Sequence, residues 1–500
     1  MSGREPLLLA VDQGTSGTTC LAVTREGEVR ARSHRDVAVR YPRDGWVEQD
    51  ADDLWRSVQD AAAELATQAD APFAAVGLTN QRETLVVFER RTLRPVAPAI
   101  VWQCRRSAGI CEEHRARGEE DDVRRRTGLL LDPYFTATKL EWLLREQPAL
   151  RARAAAGELC AGTVDTWLIA RMTEGRVLAT DTSNASRTML YDLTTGRFDT
   201  GLCEMFGVPE ALLPEVRDSA GRFGDTSPGA FAGLSLPISG VAGDQQAALF
   251  GQACVEPGMS KNTYGTGSFL LVNVGTELPE PAHGVLTTVA WRLRSRDTFC
   301  LEGSIFVTGA ALRWLRDGPG LLSDVTEAGA LFDSVPDAAG CHFIPALTGL
   351  GAPWWDPGAR GAFLGLTGGT TRAHMVRAVV EAMAYRTRDV VEAMEAASGR
   401  PFSELRVDGG ASVMDGLCRF QADLLGIPVA RAATAETTAL GAAMLAAVGE
   451  GLIDGPEAVA AAWRPGARFD PAHPGTRPNE NYGAWLDALS RVRSVQAVPR

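Results

Sequence analysis

Short apolar runs alternate with small-residue turns and amphipathic segments along the chain. Residues 7–11 form an apolar run that predicts a buried strand, and the small residues 14–17 predict a turn after it. From about residue 52, apolar side chains recur on one face at helical spacing, and residues 74–78 predict another buried strand. Because strands and helices alternate, the pattern indicates an α/β architecture.

A similar order of elements begins again past the middle of the chain. The turn at 265–268 is followed by predicted strands at 269–274 and 285–291. In the first half the turn at 14–17 is followed by an extended segment at 18–23, and in the second half residues 262–264 lead into the turn. A strand, a Gly/Thr turn and a strand therefore occur once in each half. This pseudo-repeat predicts two domains of related design, with each turn directing backbone donors at one nucleotide held between them.

The last third of the chain adds one more strand–turn–helix unit. Residues 405–408 predict a short strand, and a helix is expected at about 415–425 after a small-residue turn. Such a turn leaves free N–H groups at the start of the helix. Residues 439–448 predict a buried helix, and the Pro-rich, polar tail after about residue 466 is expected to be irregular and peripheral.

Composition places the chain among globular proteins and narrows the function. Of the 500 residues, 45% are hydrophobic and 22% are charged, with a net charge of −12. This acidity argues against nucleic acid and anionic membranes as partners, and it predicts that phosphates are held by backbone N–H groups, Mg²⁺ and a few cations. No run of residues resembles a signal peptide or a membrane span, so a cytoplasmic location is expected.

Cysteine and histidine usage fits the same picture. Nine cysteines occur without a CxxC pair, which predicts reduced, buried thiols. Only six scattered histidines are present, which argues against a histidine-based metal site. P-loop, GxSxG and HExxH motifs are absent from the sequence, so the chemistry needs another arrangement.

Two aspartates follow apolar strands and are candidates for the chemistry. Asp12 precedes a turn of glycines and hydroxyl residues, a pattern that suits Mg²⁺–phosphate binding but also an ordinary hairpin. Asp244 follows Gly243 and precedes two glutamines, so it is a candidate general base. The same position also suits a helix N-cap, and both interpretations hold together if the carboxylate faces a cleft.

A polar pair and two aromatic residues are candidates for an acceptor site. Arg82 and Glu83 follow the predicted strand 74–78 and together provide fixed donors and a fixed acceptor, which is what vicinal hydroxyls require. An exposed ion pair of little energetic value is the alternative. Trp102 and Tyr134 provide the aromatic faces that a small polyol pocket needs, although core packing also explains them.

Taken together, these segments resemble the FGGY carbohydrate kinases from about residue 7 to about residue 450. The matching segments are AVDQGTSG, GWVEQD, TNQRET, AIVWQCRR, DPYFTATK, GTVDTWL, NASRTML, GDQQAALFGQ, KNTYGTGS, GLGAPWWDP and RVDGGAS. Residues 134–143 look like the first signature of the family, and residues 361–381 look like the second.

The resemblance implies two ribonuclease-H-like domains of the actin and hexokinase superfold, closing over a central cleft. It implies a polyol-binding N-terminal domain at 1–250 and a nucleotide-binding C-terminal domain at 251–500. The implied activity is ATP-dependent phosphorylation of glycerol to sn-glycerol 3-phosphate. ATP and Mg²⁺ are the expected cofactors, and a homo-oligomer, dimer or tetramer, is expected by analogy.

The resemblance also assigns roles residue by residue. Asp244 would be the general base, and Asp12 would help to place Mg²⁺. The positions matching the glycerol-binding residues are Arg82, Glu83, Trp102, Tyr134, Asp244, Gln245 and Phe269. Thr15, Ser16 and Gly17 match the phosphate loop of the family. Thr266, Gly309 and Gly410 match other nucleotide contacts.

The sequence departs from the family pattern around the nucleotide. Thr19 stands at the end of the phosphate loop where the family commonly has Arg, Arg313 stands where Gln is usual, and Met414 replaces a typical Asn. We expect Arg313 to supply a replacement cation. The stretch 227–235 carries no cation, which predicts insensitivity to fructose 1,6-bisphosphate.

Two alternatives stay open at the level of sequence. The nearest is a kinase for another small polyol or sugar, such as erythritol or glyceraldehyde, although the Arg82–Glu83 pair with Trp102 and Tyr134 favours glycerol. The more remote alternative is an actin-like assembly or chaperone protein, which needs no polyol pocket.

Overall fold

The computed structural model describes residues 5–494, and its core is one mixed sheet of 13 strands with helices on both faces. The strands are β1 (Leu7–Gln13), β2 (Gly17–Val23), β3 (Val29–Asp36), β4 (Glu48–Gln49), β5 (Phe73–Asn80), β6 (Val86–Glu89), β7 (Ala99–Ile100), β8 (Leu159–Gly162), β9 (Ala179–Asp181), β10 (Tyr191–Asp192), β11 (Arg197–Phe198), β12 (Glu215–Arg217), β13 (Ala220–Asp225), β14 (Pro237–Gly243), β15 (Met259–Tyr264), β16 (Ser268–Gly275), β17 (Leu286–Leu293), β18 (Arg296–Ile305), β19 (His342–Ile344), β20 (Ala362–Leu364), β21 (Glu404–Gly409), β22 (Val429–Ala432) and β23 (Pro465–Phe469).

The helices vary in length from one turn to more than seven. They are α1 (Ala51–Gln68), α2 (Ala108–Ala116), α3 (Glu120–Thr127), α4 (Thr136–Glu146), α5 (Pro148–Ala155), α6 (Val164–Met172), α7 (Thr182–Ala185), α8 (Thr200–Met205), α9 (Asp244–Gly251), α10 (Gly309–Asp317), α11 (Glu327–Asp333), α12 (Arg372–Ser398), α13 (Asp415–Leu425), α14 (Thr437–Gly449), α15 (Pro456–Ala462) and α16 (Glu480–Ser490), with short 3₁₀ turns at Glu210–Leu212 and Gly410–Val413.

The two halves of the sheet share one design. In the first, β1, β2 and β3 form an antiparallel meander, and β5 and β14 continue from β1 in parallel. In the second, β15, β16 and β18 are antiparallel, and β21 and β22 continue from β15 in parallel. The halves meet where β13 pairs with β17. This repeat confirms the predicted α/β class with two related halves.

Local sequence explains why the first elements form. Strands β1 and β2 are built from buried apolar residues, so they lie at the centre of their half of the sheet. Helix α1 begins where the Asp50 carboxylate accepts a hydrogen bond from the Asp52 amide, and its buried face carries Leu54, Val58 and Leu65.

Helix α14 lies unusually close to the N-terminal half of the sheet. A Cβ atom added to Gly77 of β5 would lie 2.1 Å from the Ala442 carbonyl oxygen, and one on Gly240 of β14 would lie 2.2 Å from the Ala446 nitrogen. Gly441 in turn faces α9, where an added Cβ atom would lie 1.8 Å from the Ala247 carbonyl oxygen. Only glycine permits these backbone approaches, so α14 ties the C-terminal part of the chain to strands near the N-terminus.

The tail after residue 466 contradicts the expectation of an irregular, peripheral segment. Strand β23 pairs with β22 at the sheet edge, and α16 buries Trp485 completely against Tyr385, with 5.2 Å between the ring centroids. Two aromatic residues in α16, Tyr482 and Trp485, anchor it although prolines and polar residues surround them.

Other expectations concern thiols and membranes. All nine cysteines are free and buried, as predicted. Within residues 5–494, no helix has the length and apolar character needed to cross a membrane.

Candidate active site

Three parallel strands of the first half end side by side and present the candidate residues. Gln13 at the end of β1 is in register with Asn80 of β5, and Asn80 is in register with Gly243 of β14. The phosphate-loop candidate follows β1, Arg82 and Glu83 follow β5, and Asp244 follows β14. Because the carboxyl ends of parallel strands meet at one edge, residues distant in sequence share one site.

Asp244 faces the guanidinium group of Arg82. Its carboxylate oxygen lies 3.2 Å from Arg82 Nε, and 29% of its side chain is exposed. Gly243 occupies the N-cap position, so Asp244 is the first residue of α9 rather than the cap. A Cβ atom on Gly243 would lie 2.7 Å from Arg82 Cγ, and the missing side chain therefore lets Arg82 lie across the strand end toward Asp244.

Arg82 and Glu83 belong to a buried network of four charges. Arg82 donates two hydrogen bonds to Glu302, at 2.5 and 3.1 Å, and Arg187 donates to Glu83 at 2.6 Å and to Glu302 at 3.0 Å. All four side chains are at most 2% exposed. The alternative of an exposed, weak ion pair is therefore wrong, since these charges lie in the interior.

The charges of this network shape the acidity of its carboxyl groups. Burial would raise the pKa of Glu302, but Arg187 and Arg82 outweigh it and lower that pKa to about 2. Burial raises the pKa of Glu83 despite the attraction of the same two arginines. Glu302 therefore stays negatively charged between the two guanidinium groups, to both of which it is paired.

The backbone at Glu83 is held in an unusual conformation. Glu83 has a φ of 59°, a left-handed value that is uncommon outside glycine. Lys139 of α4 donates a 3.0 Å hydrogen bond to the Glu83 carbonyl oxygen and a second one to the Tyr134 carbonyl. Burial lowers the pKa of Lys139 to about 7, against the attraction of Glu83. Lys139 thus fixes the backbone that presents Glu83 and Tyr134.

Aromatic residues connect the acceptor site to the phosphate-loop turn. Trp102 and Tyr134 make an edge-to-face contact with 5.6 Å between ring centroids. Trp102 Nε1 donates a 2.9 Å hydrogen bond to the Thr15 hydroxyl, inside the turn between β1 and β2. Phe269, which also matches a glycerol-binding position, is half-buried on β16 in the other half of the sheet. Trp102 and Phe269 therefore lie on different halves.

Gln245 is held by a lysine from the second half of the sheet. Lys261 of β15 donates hydrogen bonds to the Gln245 side-chain oxygen and, at 3.1 Å, to the Thr263 hydroxyl. Burial lowers the pKa of Lys261, although the charges of Asp408 and Asp244 oppose this. The residue next to Asp244 is therefore positioned from the opposite half.

Asp12 lies near Asp244 and suits a cation between them. Burial, then repulsion by Asp244 and by Glu436, raises the pKa of Asp12 to about 8. Neighbouring carboxylates that repel each other provide hard oxygen donors for Mg²⁺. The described residues contain no cluster of three or more metal-ligating side chains. This donor set fits an ion that keeps water and phosphate ligands rather than one enclosed by protein.

The predicted nucleotide contacts of the second half come together at adjoining turns. Tyr264 at the end of β15 is in register with Gly409 of β21, so the turns after these strands are neighbours. Gly309 begins α10 and its amide bonds the Gly265 carbonyl at 3.1 Å. Gly410 has open space beside it, and Met414 caps α13 after the 3₁₀ turn.

Arg313 reaches the same group of turns. Its guanidinium donates a 2.8 Å hydrogen bond to the Thr266 hydroxyl at an exposed position.

On the other half, the phosphate-loop turn is closed by a 2.9 Å hydrogen bond from the Gly14 amide to the Gly17 carbonyl, with Ser16 exposed and Thr19 buried. Candidate phosphate contacts therefore exist on both halves.

Three charged residues of the site are not predicted by the sequence. Arg187 lies within the family-like segment NASRTML and Lys261 begins the segment KNTYGTGS, but no local pattern assigns either of them a role, and Glu302 lies in a strand without a motif of its own. The available signal at Glu302 was one charge within the otherwise uncharged run 299–305, and the structure buries Glu302 and Lys261 fully in β18 and β15. Arg187 Nη1 has no hydrogen-bond partner among residues 5–494, which leaves one donor beside Glu83.

Fold and site together define a two-lobed phosphotransferase of the actin-like superfold, and comparison with known proteins identifies its family. Residues 7–251 match the N-terminal domain and residues 260–450 the C-terminal domain of the FGGY family of carbohydrate kinases. The chain belongs to this family.

Similar relatives within the family share nearly its full length. The chain is 49% identical to a glycerol kinase of Rhodospirillum rubrum, over 98% of this chain and 99% of that protein. It is 47% identical to glycerol kinase 2 of Thermotoga maritima, over 97% and 98%. A crystal structure of Plasmodium falciparum glycerol kinase with ADP is similar over 100% of both chains, with a TM-score of 0.92 and 29% identity.

Proposed function

We propose that this protein is an ATP-dependent kinase that phosphorylates a terminal hydroxyl of glycerol to give sn-glycerol 3-phosphate. The full-length similarity to glycerol kinases supports this activity. The observation that carries the proposal is that the partly exposed Asp244 carboxylate lies 3.2 Å from Arg82 Nε, which itself lies 3.8 Å from the Glu83 carboxylate. An acceptor binds there between fixed donors, fixed acceptors and the Trp102 ring.

The chemistry follows from the nature of phosphoryl transfer. The transition state is loose, so the protein contributes mainly positioning and charge neutralisation. Asp244 orients the acceptor hydroxyl and takes its proton as the new oxygen–phosphorus bond forms. The bond between the γ-phosphorus and the bridging oxygen breaks, and ADP leaves. Arg82 and Glu83 hold the other hydroxyls, and closure of the halves excludes water as a competing acceptor.

Residues for the nucleotide and its metal come from both halves. The turn containing Thr15, Ser16 and Gly17 and the residues Thr266, Gly309, Arg313, Gly410 and Met414 would contact ATP. Asp12, with Asp244 nearby, would hold a hydrated Mg²⁺, which when bound neutralises phosphate charge. The domain boundary at 250/251, the cytoplasmic location and the oligomeric state stay predictions.

The direct test measures ADP formation with purified protein, with and without glycerol. We expect turnover to depend on glycerol, and a panel with erythritol and glyceraldehyde to give much lower kcat/KM. ATP hydrolysis that is independent of any polyol would contradict the proposal and would favour an actin-like assembly protein.

Substitution of Asp244 tests the assigned base. Asp244→Asn keeps the shape of the side chain but removes its capacity to accept a proton. We expect kcat to fall by about 10²–10⁴-fold, the usual range for a general base, while glycerol still binds in calorimetry. Asp225→Asn, on an exposed strand end of the same half, is the matched control. A near-normal kcat for Asp244→Asn would remove the base assignment.

A further inference from the structure

A histidine ring lies against the phosphate-loop turn. Thr19 occupies the position where the resemblance to FGGY kinases implies Arg. Its hydroxyl shares a 2.9 Å hydrogen bond with Nδ1 of His34. The register explains this contact, because Asp12 of β1, Thr19 of β2 and His34 of β3 are successive cross-strand partners and lie in one row across the sheet.

The ring of His34 also lies against the last residue of the turn. A Cβ atom added to Gly17 would lie 2.7 Å from His34 Cε1 and 2.8 Å from Nε2. The absence of a side chain at Gly17 therefore creates the space that the imidazole fills. Gly17 and Thr19 are both small, and together they leave room for the ring to lie against the turn.

Among residues 5–494, the partner of the second ring nitrogen is an exposed carboxylate. His34 Nε2 lies 3.2 Å from the Asp36 carboxylate, whose side chain is 96% exposed. An exposed carboxylate of this kind contributes little and is easily displaced. The arginines on either side in the strand are engaged elsewhere, Arg32 with Glu436 at 2.8 Å and Arg35 with Glu64 at 2.5 Å. His34 is thus the basic side chain of β3 that adjoins the turn.

We propose that His34 is a nucleotide-binding residue that contacts the γ-phosphate held by the turn at 14–17, in place of the missing arginine. Thr19 orients the ring through Nδ1, and Nε2 exchanges its contact with Asp36 for a phosphate oxygen. This inference rests on the proposed function, because it takes the turn to hold the terminal phosphate of ATP.

The test compares two nucleotides that differ by one phosphate group. Calorimetry measures the affinities of ADP and of AMP-PNP, a non-hydrolysable ATP analogue, in Mg²⁺ buffer for the full-length protein. His34→Phe keeps a ring above Gly17 but removes both nitrogens. We expect AMP-PNP to bind on the order of tenfold more weakly, as for loss of a hydrogen bond to a charged group, with the ADP affinity unchanged. Asp36→Asn is the control, and we expect this variant to bind AMP-PNP with unchanged affinity.

A double variant keeps the inference testable if the phenyl ring disturbs the strand. His34→Ala should show the same selective loss, and adding Thr19→Arg should restore AMP-PNP affinity by supplying a cation from the neighbouring strand. Equal weakening of ADP and AMP-PNP, or no change in either, would overturn the role of His34. Because these affinities need no turnover, they are independent of glycerol-dependent activity, whose absence would instead overturn the proposed function.

Discussion

At the scale of single residues, the proposed acceptor site depends on a charge contributed from the other half of the sheet. Glu302 pairs with both Arg82 and Arg187, and the three side chains are at most 2% exposed. Removing its charge leaves two guanidinium groups close together in the interior without their shared partner. Breaking a buried pair in this way typically costs about 3–5 kcal/mol.

Glu302→Gln should therefore weaken both folding and acceptor binding. We expect the free energy of unfolding to fall by about 3 kcal/mol and the KM for glycerol to rise on the order of tenfold or more, since Arg82 is no longer fixed. Asp297→Asn is the matched control, because Asp297 lies in the same strand and pairs with Arg292 at 2.7 Å far from the site. An unchanged KM for glycerol in Glu302→Gln would show that Glu302 does not position Arg82.

Asp12 gives a prediction about pH. Its folded-state pKa is raised to about 8, above the ordinary carboxyl value. The folded state therefore holds a proton that the unfolded state loses. The stability that this proton contributes is fully present below the ordinary carboxyl pKa and is lost progressively as the pH rises from there through 8. The side chain of Asp12→Asn does not titrate. Without nucleotide, the free energy of unfolding of this variant relative to the wild type should therefore rise by about 1–3 kcal/mol from pH 5 to pH 8.

Thermal unfolding across this pH range measures the difference between the two proteins. Adding Mg²⁺ with ADP should reduce the difference, because a bound cation relieves the repulsion between Asp12 and Asp244. A pH-independent difference would mean that Asp12 is ionised in the folded protein throughout this range.

At the scale of elements, the crossing of α9 and α14 needs a glycine. Alanine favours helices over glycine by about 0.8–1.0 kcal/mol, so propensity alone predicts that Gly441→Ala stabilises α14. Packing predicts the opposite, since the added Cβ would lie 1.8 Å from the Ala247 carbonyl oxygen. Overpacking of this kind typically costs about 1–3 kcal/mol or more.

We expect Gly441→Ala to lower the free energy of unfolding by about 2 kcal/mol, measured by urea denaturation. Gly483→Ala is the matched control, because Gly483 lies inside α16 and a Cβ atom added there would have no atom of another element within 4 Å. That variant should be neutral or slightly more stable. If both substitutions changed the free energy of unfolding by the same amount, the close approach of α9 to α14 would not explain why residue 441 is glycine.

Most elements near the site could be predicted from the sequence, whereas their partners could not. Apolar runs placed β1, β5, α13 and α14 to within a few residues, because a buried strand or helix leaves a local periodic pattern. Arg82 and Glu302 are 220 positions apart, and no local pattern marks such a pair. The close approach of Gly77 to α14 is equally non-local. The tail was mispredicted because Pro and polar residues obscured the packing of Trp485.

At the scale of the whole molecule, the acceptor site belongs to both halves. Glu302 and Lys261 come from the second half and hold Arg82 and Gln245 of the first. Helix α14 also comes from the second half, yet it covers β1, β5 and β14. Relative movement of the halves would therefore change the proposed acceptor site and the proposed nucleotide site together, so we expect binding of the two substrates to be coupled.

The same arrangement predicts that the two halves do not fold independently. A fragment of residues 1–250 lacks α14, so it exposes apolar sheet surface, and it lacks Glu302, so Arg82 and Arg187 lose their shared partner. We expect this fragment to aggregate or to lack a cooperative unfolding transition, and co-expression with residues 251–500 to restore a complex with glycerol-dependent turnover. Calorimetry measures whether the fragment unfolds cooperatively, and size-exclusion chromatography measures whether it aggregates or forms the complex. A monomeric 1–250 fragment that unfolds cooperatively near the midpoint of the full chain would contradict it, since cover from α14 would then be dispensable.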